Sequence, residues 1–371
     1  MNQELIKKLK DSMTCSGRAE RLIDKKIFCE IKTESNKDGG KKKGEKKNEE
    51  KESRENEDGR KERGEDIIAF VDGGSAEIFS SASFCFGAIR TAFAAFSGGR
   101  KKFQKIFESY IIAKPVGGKN TRCSAEIFEE GERLFENSNL DINLETKQNE
   151  ISLTPLDEKS GLKSAIGLIR RIAEIRTAMR ALRDGFSIIF LDGCLDCNSM
   201  IETENMEKLF SDSEEKKGSI CALSKTSEIV DVDGAPISLT LSRNSPYKKW
   251  FCNADSIKDS IKGFKNSEKS LPNTMTFFSK LNAKSKHAFR VDVRSSAISP
   301  EKIFFLLAEN SRDASFPGYP YGLIEADRIA RISRNEQEYL RNLFSAKIGK
   351  IDIEYYTSSL NAHGTLDRMS F

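Results

Sequence analysis

The chain is poor in histidine and tryptophan, and it has no long apolar run. Of its 371 residues only two are histidine and one is tryptophan. Because there is neither a signal peptide nor an apolar stretch of membrane-spanning length, we expect a cytoplasmic protein that does not enter a membrane. The formal net charge of +4 is small for this length, so overall charge demands neither nucleic acid nor a membrane surface as partner.

Cysteine is present but does not form a metal-binding pattern. The chain has eight cysteines, of which Cys194 and Cys197 form a single C-x-x-C pair. A structural zinc site needs four ligands, and neither a second C-x-x-C nor a C-x-x-H accompanies this pair. We therefore expect reduced, free cysteines rather than a zinc site or disulfides.

Two short apolar runs each end in Asp-Gly. Residues 67–71 precede Asp72, and residues 187–191 precede Asp192. Such runs predict buried central strands, and an Asp at the end of a strand lies at the rim of a sheet. Two carboxylates from two central strands can converge on one divalent cation, which prefers oxygen ligands. The alternative is that each Asp-Gly pair merely closes its strand.

A helix that carries a glutamate is predicted between these two strands. Apolar residues spaced by three and four from Leu168 to Leu182 predict a helix over about residues 163–182, with one face packed on a sheet. Glu174 lies on the shoulder of that face, where it can be aimed at the edge of the sheet. Taken alone, Glu174 is better explained as a solvated charge paired with Arg170 or Arg171, and it is the order of the elements around it that favours a role at the sheet.

The composition divides the chain into three parts. Residues 1–33 predict amphipathic helices, and residues 67–371 form the main domain. Between them, residues 34–66 are dense in charges of both signs and contain no aliphatic or aromatic residue, which predicts a disordered insert. In the main domain, residues 83–96 and 103–113 predict two strands joined by a hairpin, and residues 114–159 are a polar region.

Further elements are predicted in the second half. Residues 220–224 and 289–293 predict strands, and about residues 323–334 and 336–347 predict helices. The first of these strands carries Lys225 at its end.

The order strand-Asp, two strands, helix-Glu, strand-Asp is that of the ribonuclease H-like fold. The predicted fold class is therefore α/β, with a ribonuclease H-like mixed sheet flanked by helices and with added N-terminal helices. In this fold three carboxylates hold two divalent ions, which together can hydrolyse a phosphodiester. His363 is a candidate fourth ligand, and Asp367 lies four residues later on the same helical face. The alternative is a surface histidine near the end of the chain.

Seven short segments spread over residues 67–371 fall in a specific order. They are VDGGS at Asp72, RRIAEIRTA at Glu174, LDGCL at Asp192, SKTS at Lys225, FRVDV at 289–293, FPGYPYGLIEADRIARIS at 316–333 and AHGTLD at His363. The segment 316–333 is the longest and the most specific. On these segments the chain resembles the NurA family of archaeal and bacterial DNA-end nucleases.

The resemblance implies a manganese-dependent, 5′-to-3′ DNA exonuclease that also cuts single strands. It implies a homodimer that docks on a hexameric HerA-type ATPase in DNA end resection and recombinational repair. Two Mn²⁺ ions, with Mg²⁺ as the alternative, would be held by Asp72, Glu174, Asp192 and His363. Lys225 and Tyr356 would contact the substrate or support the site.

The chain departs from the family at two positions. Gly322 stands where the family usually has Pro, and Gly364 stands where an Asp commonly follows the terminal His. Asp367 is then the nearby carboxylate that remains.

Two basic clusters are candidates for DNA binding. One is the hairpin tip with Arg100 and Lys101, and the other is Lys248 and Lys249 before Trp250. Lysine and arginine pair with backbone phosphates, and aromatic side chains stack on bases. Basic hairpin tips and a lone tryptophan are more often simply parts of an ordinary surface and an ordinary core.

Two alternative functions use the same pattern. Actin-like ATPases and sugar kinases place Asp-Gly turns after equivalent strands, although no glycine-rich adenosine-binding turn is found in the second half of this sequence. A non-catalytic adaptor of a DNA translocase is the other alternative. The presence of all four candidate ligands favours an enzyme over an adaptor.

Overall fold

The main feature of the molecule is one large mixed β-sheet. The computed structural model describes residues 23–33, 66–81, 83–116, 122–136, 139–143, 158–225, 229–262, 273–295 and 297–349. The strands in this part of the chain are β1 (Cys29–Glu30), β2 (Ile68–Ser80), β3 (Cys85–Ser97), β4 (Arg100–Pro115), β5 (Arg122–Glu130), β6 (Asn139–Asn143), β7 (Ile188–Asp192), β8 (Ser219–Ser224), β9 (Val230–Asp231), β10 (Trp250–Asn253), β11 (Ile261–Lys262), β12 (Met275–Lys280) and β13 (Phe289–Ser295).

Eleven of these strands form the large sheet in the order β1-β10-β12-β13-β8-β7-β2-β3-β4-β5-β6, and β11 pairs with β9 separately. β7 is parallel to both of its neighbours, β2 and β8. The other pairings within the large sheet are antiparallel. The parallel trio lies at the centre of the sheet, where both faces need an apolar cover.

Helices cover both faces of the sheet. They are α1 (Glu158–Arg183), α2 (Met200–Glu215), α3 (Ile237–Asn244), α4 (Pro300–Glu309), α5 (Tyr321–Ala330) and α6 (Arg334–Ile348). None of the helices described is long and apolar enough to cross a membrane.

Successive residues of β2 serve opposite faces of the sheet. Ile68 and Phe70 belong to a core that includes α4 and α5. Ala69 and Val71 belong to a second core that includes α1 and α2. Because side chains alternate along a strand, Asp72 falls on the same face as Phe70. Both faces of the sheet are buried along β2, and this explains why the apolar run before Asp72 is continuous and not alternating.

The strand β2 does not end at Asp72, as the sequence predicts, but continues for eight more residues. It pairs with β7 only from Ile68 to Val71. Its pairing with β3 continues to Ser80. The prediction fails because β3 supplies hydrogen bonds past Asp72 after β7 has ended. Asp72 therefore lies where one side of β2 becomes free of strand pairing.

The N-terminal residues that the structure describes are part of the main sheet. Residues 23–33 form a 3-10 turn, Lys25–Ile27, and the strand β1, which pairs with β10. Ile23 and Phe28 are buried, and the Phe28 ring lies 5.2 Å from the Trp250 ring, edge to face. The predicted helix is wrong for this stretch because burial on β10 outweighs local periodicity. Residues 1–22 and 34–65 lie outside the described residues.

The predicted polar region contains two further strands, β5 and β6. Alternate residues of β5, namely Cys123, Ala125 and Ile127, are buried in a core shared with α1. Cys123 and Ala125 are small, so the alternation with Ser124 and Glu126 is weak in the sequence. The predicted β3–β4 hairpin and the helix of Glu174 are confirmed.

Candidate active site

Asp72 is a buried carboxylate at the centre of the sheet. Asp72 as a whole is only 4% exposed to solvent. Oδ1 accepts a hydrogen bond from the backbone N–H of Gly73 at 2.7 Å. Oδ2 is buried and has no hydrogen-bond partner among the described residues. A buried polar atom left in this state is costly and calls for an explanation such as a missing ion or water.

Asp192 ends the neighbouring parallel strand, β7. Ile188 and Phe190 lie in the same core as Phe70, so alternation places Asp192 on the face of Asp72. Gly193 then turns the chain with a φ of +98°, a left-handed conformation that glycine adopts without strain. The predicted turn after the strand is thus confirmed for Gly193.

Asp72 and Asp192 influence each other electrostatically. Burial is the main cause that raises the pKa of Asp72 to about 7, and the charges of Asp192 and Glu174 add to it. A nearby negative charge disfavours the charged form of a buried carboxyl group such as that of Asp72. A divalent cation would remove this repulsion.

Glu174 approaches from α1 and is held by two arginines. It is buried, and it forms ion pairs with Arg170 and, at 3.2 Å, with Arg171. Burial raises its pKa, while both arginines oppose that change. A Cβ atom on Gly73 would lie 2.8 Å from Glu174 Oε1, so glycine is needed at this position for the carboxylate to reach the strand.

Glu174 lies on the opposite side of the sheet from Asp72 and Asp192. Its neighbour along α1, Ile175, packs with Ala69 and Val71 in the second core. Gly73, which touches Glu174, alternates with Asp72 along β2. The sequence left two alternatives for Glu174, an approach to the sheet or a solvated charge paired with arginine. The structure shows the carboxylate at the sheet and paired with both arginines, but buried rather than solvated.

Arg171 links Glu174 to the loop that follows Asp192. Its Nη1 donates to the backbone oxygen of Asp192 at 3.4 Å, and its Nη2 donates to the backbone oxygen of Cys194 at 2.5 Å. One guanidinium thus fixes the helix against the end of β7. The sequence indicated Arg171 only as a partner for Glu174. The position of Arg171 three residues before Glu174 predicts contact within the helix but not contact with a loop elsewhere in the chain.

Both carboxylate oxygens of Asp192 have side-chain partners. Tyr319 donates its hydroxyl to Oδ1 at 3.1 Å, and Lys225 donates Nζ to Oδ2 at 2.8 Å. The Lys225 Nζ also lies 5.5 Å from the centre of the Tyr319 ring. Burial and the neighbouring Asp192 raise the pKa of Tyr319, so this hydroxyl stays protonated. Lys225 was predicted at the site, whereas Tyr319 was not.

A buried carboxylate fixes the Cys194–Cys197 loop from the other side. Asp292 accepts a hydrogen bond from the Leu195 N–H at 3.1 Å and forms an ion pair with Arg290 at 2.9 Å. Burial raises the pKa of Cys194 and raises that of Cys197 to about 12, so neither is a thiolate at neutral pH. Both are free cysteines, as expected from the sequence.

The predicted basic clusters lie apart from the carboxylates. The hairpin tip with Arg100 and Lys101 is at the edge of the sheet where β2 begins, roughly 17 Å along the strand from Asp72. Lys101 forms an ion pair with Glu325 at 2.9 Å.

In the second cluster Lys248 is exposed, while Lys249 binds the hydroxyl of Thr33. Trp250 is fully buried, and so it does not offer a stacking surface for bases.

The carboxylates fit a cation in part. Within the described residues, no three side chains of the His, Cys, Asp and Glu types are arranged to hold a metal ion. The bare oxygen of Asp72 and the facing Asp192 nevertheless suit a divalent cation, which prefers carboxylate oxygen. The remaining predicted site residues, namely His363, Tyr356 and Asp367, lie outside the described residues.

No protein-family profile matches the chain, and no curated protein matches it significantly. Among solved structures, it is similar to the NurA nuclease from Sulfolobus solfataricus, with 16% identity, a TM-score of 0.46 and coverage of 76% of this chain and 84% of that one. It is also similar to Ciona intestinalis endonuclease V in complex with a 24mer DNA, with 9% identity, a TM-score of 0.33 and coverage of 75% and 88%.

At these identities and TM-scores the similarities carry no argument about activity, substrate or partners. The chain thus resembles NurA nucleases in the order of its sequence motifs, and a NurA nuclease is also found among the similar solved structures. An assignment of activity has to come from the residues of this chain.

Proposed function

We propose that this protein is a metal-dependent nuclease that hydrolyses phosphodiester bonds in DNA. One observation carries the proposal: Asp72 and Asp192 lie on the same face of adjacent parallel strands, and Asp72 keeps a buried oxygen with no hydrogen-bond partner among the described residues. Burying the Asp72 carboxylate beside the charge of Asp192 costs free energy in the metal-free protein. A functional role explains why the chain bears this cost.

Asp72 and Asp192 would hold the divalent ion, Mn²⁺ or Mg²⁺, with Glu174 and His363 as the further proposed ligands. A bound ion supplies Lewis-acid stabilisation of the phosphate and lowers the pKa of a water molecule. Glu174 lies beside Gly73, on the opposite face of β2 from Asp72, and its ion pairs with Arg170 and Arg171 hold its carboxylate there.

The residues around Asp192 suit a phosphate-containing substrate. Lys225 is half exposed, so its ammonium group can contact solvent and a phosphate while it still pairs with Asp192. Tyr319 is buried and holds the other oxygen of Asp192, which keeps the carboxylate in one orientation. The Arg171 guanidinium fixes the backbone on which Asp192 is mounted.

The strand order supports a ribonuclease H-like core as part of this proposal. The strands β4-β3-β2-β7-β8 are adjacent, with β2, β7 and β8 parallel and β3 antiparallel to β2. Along the chain, the elements β2, β3, β4, α1 and β7 follow one another in the order that is typical of that fold. With the family resemblance, it leads us to propose a 5′-to-3′ exonuclease that acts as a homodimer with a HerA-type ATPase in DNA end resection.

Digestion of labelled DNA by the full chain tests the activity. We expect cleavage with manganese or magnesium and none with a chelator. Asp72→Asn and Asp192→Asn should each abolish it, because each removes one carboxylate ligand while the side chain keeps its size. Asp259→Asn, which changes an exposed carboxylate, is the matched control and should cleave normally.

Cleavage by either site variant at more than a trace of the native rate would overturn the proposal. An assay of ATP hydrolysis by the isolated chain separates the proposal from the phosphotransferase alternative. Steady ATP turnover without DNA cleavage would favour the latter.

A further inference from the structure

A polar cavity lies on the α1–α2 face of the molecule, and none of its lining residues belongs to the candidate active site. It has a volume of about 280 Å³ and lies between α1, α2 and the segment that follows β5. Its charged lining residues are Arg133, Glu136, Arg176, Arg180, Arg183 and Lys208. Five cations against one carboxylate make the cavity strongly positive.

Nearby carboxylates neutralise only part of this charge. Glu136 forms an ion pair with Lys208 at 3.0 Å. Arg180 pairs with Glu132 and, at 3.1 Å, with Asp184. These pairs account for two of the five cations.

The other three are arginines that have no carboxylate at ion-pair distance within the part of the chain that the structure describes. Arg176 donates to Asn205 Oδ1 at 3.0 Å and to the Leu134 backbone oxygen at 3.3 Å, and it lies 4.6 Å above the Phe135 ring. These partners are neutral. Burial lowers the pKa of Arg176, and the charges of Glu136 and Glu129 offset part of that change from beyond ion-pair distance. The remaining two, Arg133 and Arg183, are exposed at the mouth of the cavity.

The arrangement of these arginines suits a multivalent oxyanion. A guanidinium presents a planar set of donors that matches two oxygens of a phosphate, and several guanidiniums around one cavity can share its charge. Arg176 is already fixed by neutral partners and an aromatic ring, so little side-chain entropy is lost when an anion binds. An anion would also repay the cost of a half-buried cation.

We propose that this cavity binds a phosphate group, either free phosphate or a phosphate of a nucleic-acid backbone. This phosphate site is separate from the proposed carboxylate site and shares no lining residue with it. Its test reads binding and not cleavage, so it can fail or succeed independently of the nuclease proposal.

Thermal unfolding of the full chain with potassium phosphate, against potassium chloride at equal ionic strength, is the first measurement. We expect phosphate to raise the Tm in a saturable way.

The double variant Arg133→Gln/Arg183→Gln tests the two exposed arginines. Its apparent Kd for phosphate should be at least tenfold higher than that of the native chain. Both residues are exposed, so the fold should persist, and an unchanged Tm in chloride verifies this. Arg133→Lys/Arg183→Lys keeps the charge and should retain part of the binding, whereas Arg243→Gln, on α3, is a control that should behave as native.

The second measurement identifies the source of the phosphate. Binding of short single-stranded DNA is followed in chelator over a range of potassium chloride concentrations. Loss of one backbone contact lowers the slope of log K against log salt by about one unit or slightly less. A lower slope in the glutamine double variant assigns the site to a nucleic-acid backbone, and an unchanged slope assigns it to free phosphate. The inference is wrong if phosphate raises the Tm no more than chloride does, or if the glutamine double variant binds phosphate as tightly as the native chain.

Discussion

Tyr319 donates a hydrogen bond from its hydroxyl group to Oδ1 of Asp192 at 3.1 Å, although the two residues are 127 positions apart in the chain. This bond joins the turn before α5 to the end of β7. With Lys225 on Oδ2, it gives both oxygens of Asp192 a partner, in contrast to the bare oxygen of Asp72. One carboxylate of the pair is therefore held by protein side chains, and the other has an oxygen left for a ligand.

Tyr319→Phe should slow DNA cleavage by about tenfold or more. The ring and its packing remain, but the charged Asp192 carboxylate loses the hydrogen bond from the Tyr319 hydroxyl. A hydrogen bond to a charged group is worth about 1.5–3 kcal/mol. The kcat should fall while the KM for DNA changes little, since Tyr319 is buried and acts through Asp192. Single-turnover and steady-state kinetics measure both.

Tyr321→Phe is the matched control, because Tyr321 is partly exposed and its ring packs edge to face on Phe96. It should retain native kinetics. A Tyr319→Phe protein with native kcat would remove Tyr319 from the site.

Asp72→Asn should stabilise the metal-free protein at alkaline pH. Folding raises the pKa of Asp72 from 3.8 to about 7, so the folded state binds this proton more tightly than the unfolded state does. The contribution of Asp72 to the free energy of unfolding therefore falls as the pH rises between these values and is constant above them. The full shift corresponds to at most about 4 kcal/mol. Urea unfolding in chelator at pH 4 and pH 8 should find a variant advantage only at pH 8.

Manganese should reverse this advantage at pH 8. A cation at Asp72 offsets the buried charge, so it should raise the Tm of the native chain and raise that of Asp72→Asn much less. The proposed role of Asp72 would be contradicted if the free energies of unfolding of the two proteins changed in parallel with pH. It would also be contradicted if manganese raised the Tm of both proteins equally.

Arg171→Met should lower the free energy of unfolding by about 3–5 kcal/mol, because it leaves the buried Glu174 without one of its cationic partners. The double variant Arg171→Met/Glu174→Gln should lose less than the sum of the single losses, since it removes both charges. Arg170→Met is the control: Arg170 is more exposed than Arg171, so its loss should cost less. Additive losses in this double-mutant cycle would show that the pair is not coupled.

The N-terminal segment should divide into a folding part and a docking part. Phe28→Ala should cost about 3–5 kcal/mol, because it opens a cavity beside Trp250. Removal of residues 1–22 alone should leave the Tm of the main domain nearly unchanged but weaken binding to a HerA-type ATPase. Co-purification and calorimetry measure the two effects. Native ATPase binding by the protein lacking residues 1–22 would contradict the docking role.

The sequence determined the elements that depend on local pattern. Continuous apolar runs predicted the central strands, and Gly193 marked the turn after Asp192. The spacing of apolar residues predicted α1, with Glu174 turned towards the sheet. These predictions succeed because burial on one or both faces imposes a periodicity that can be recognised from neighbouring residues alone.

The tertiary structure decided which distant groups meet. Local pattern placed the end of β2 at Asp72, but pairing with β3 carries the strand on to Ser80. Residues 23–33 resemble a helix by periodicity, yet they pair with β10. Periodicity specifies which face of a segment is buried, whereas the partner that covers it depends on contacts across the whole chain. The meeting of Tyr319 with Asp192, and of Arg171 with the loop after β7, arises in the same way.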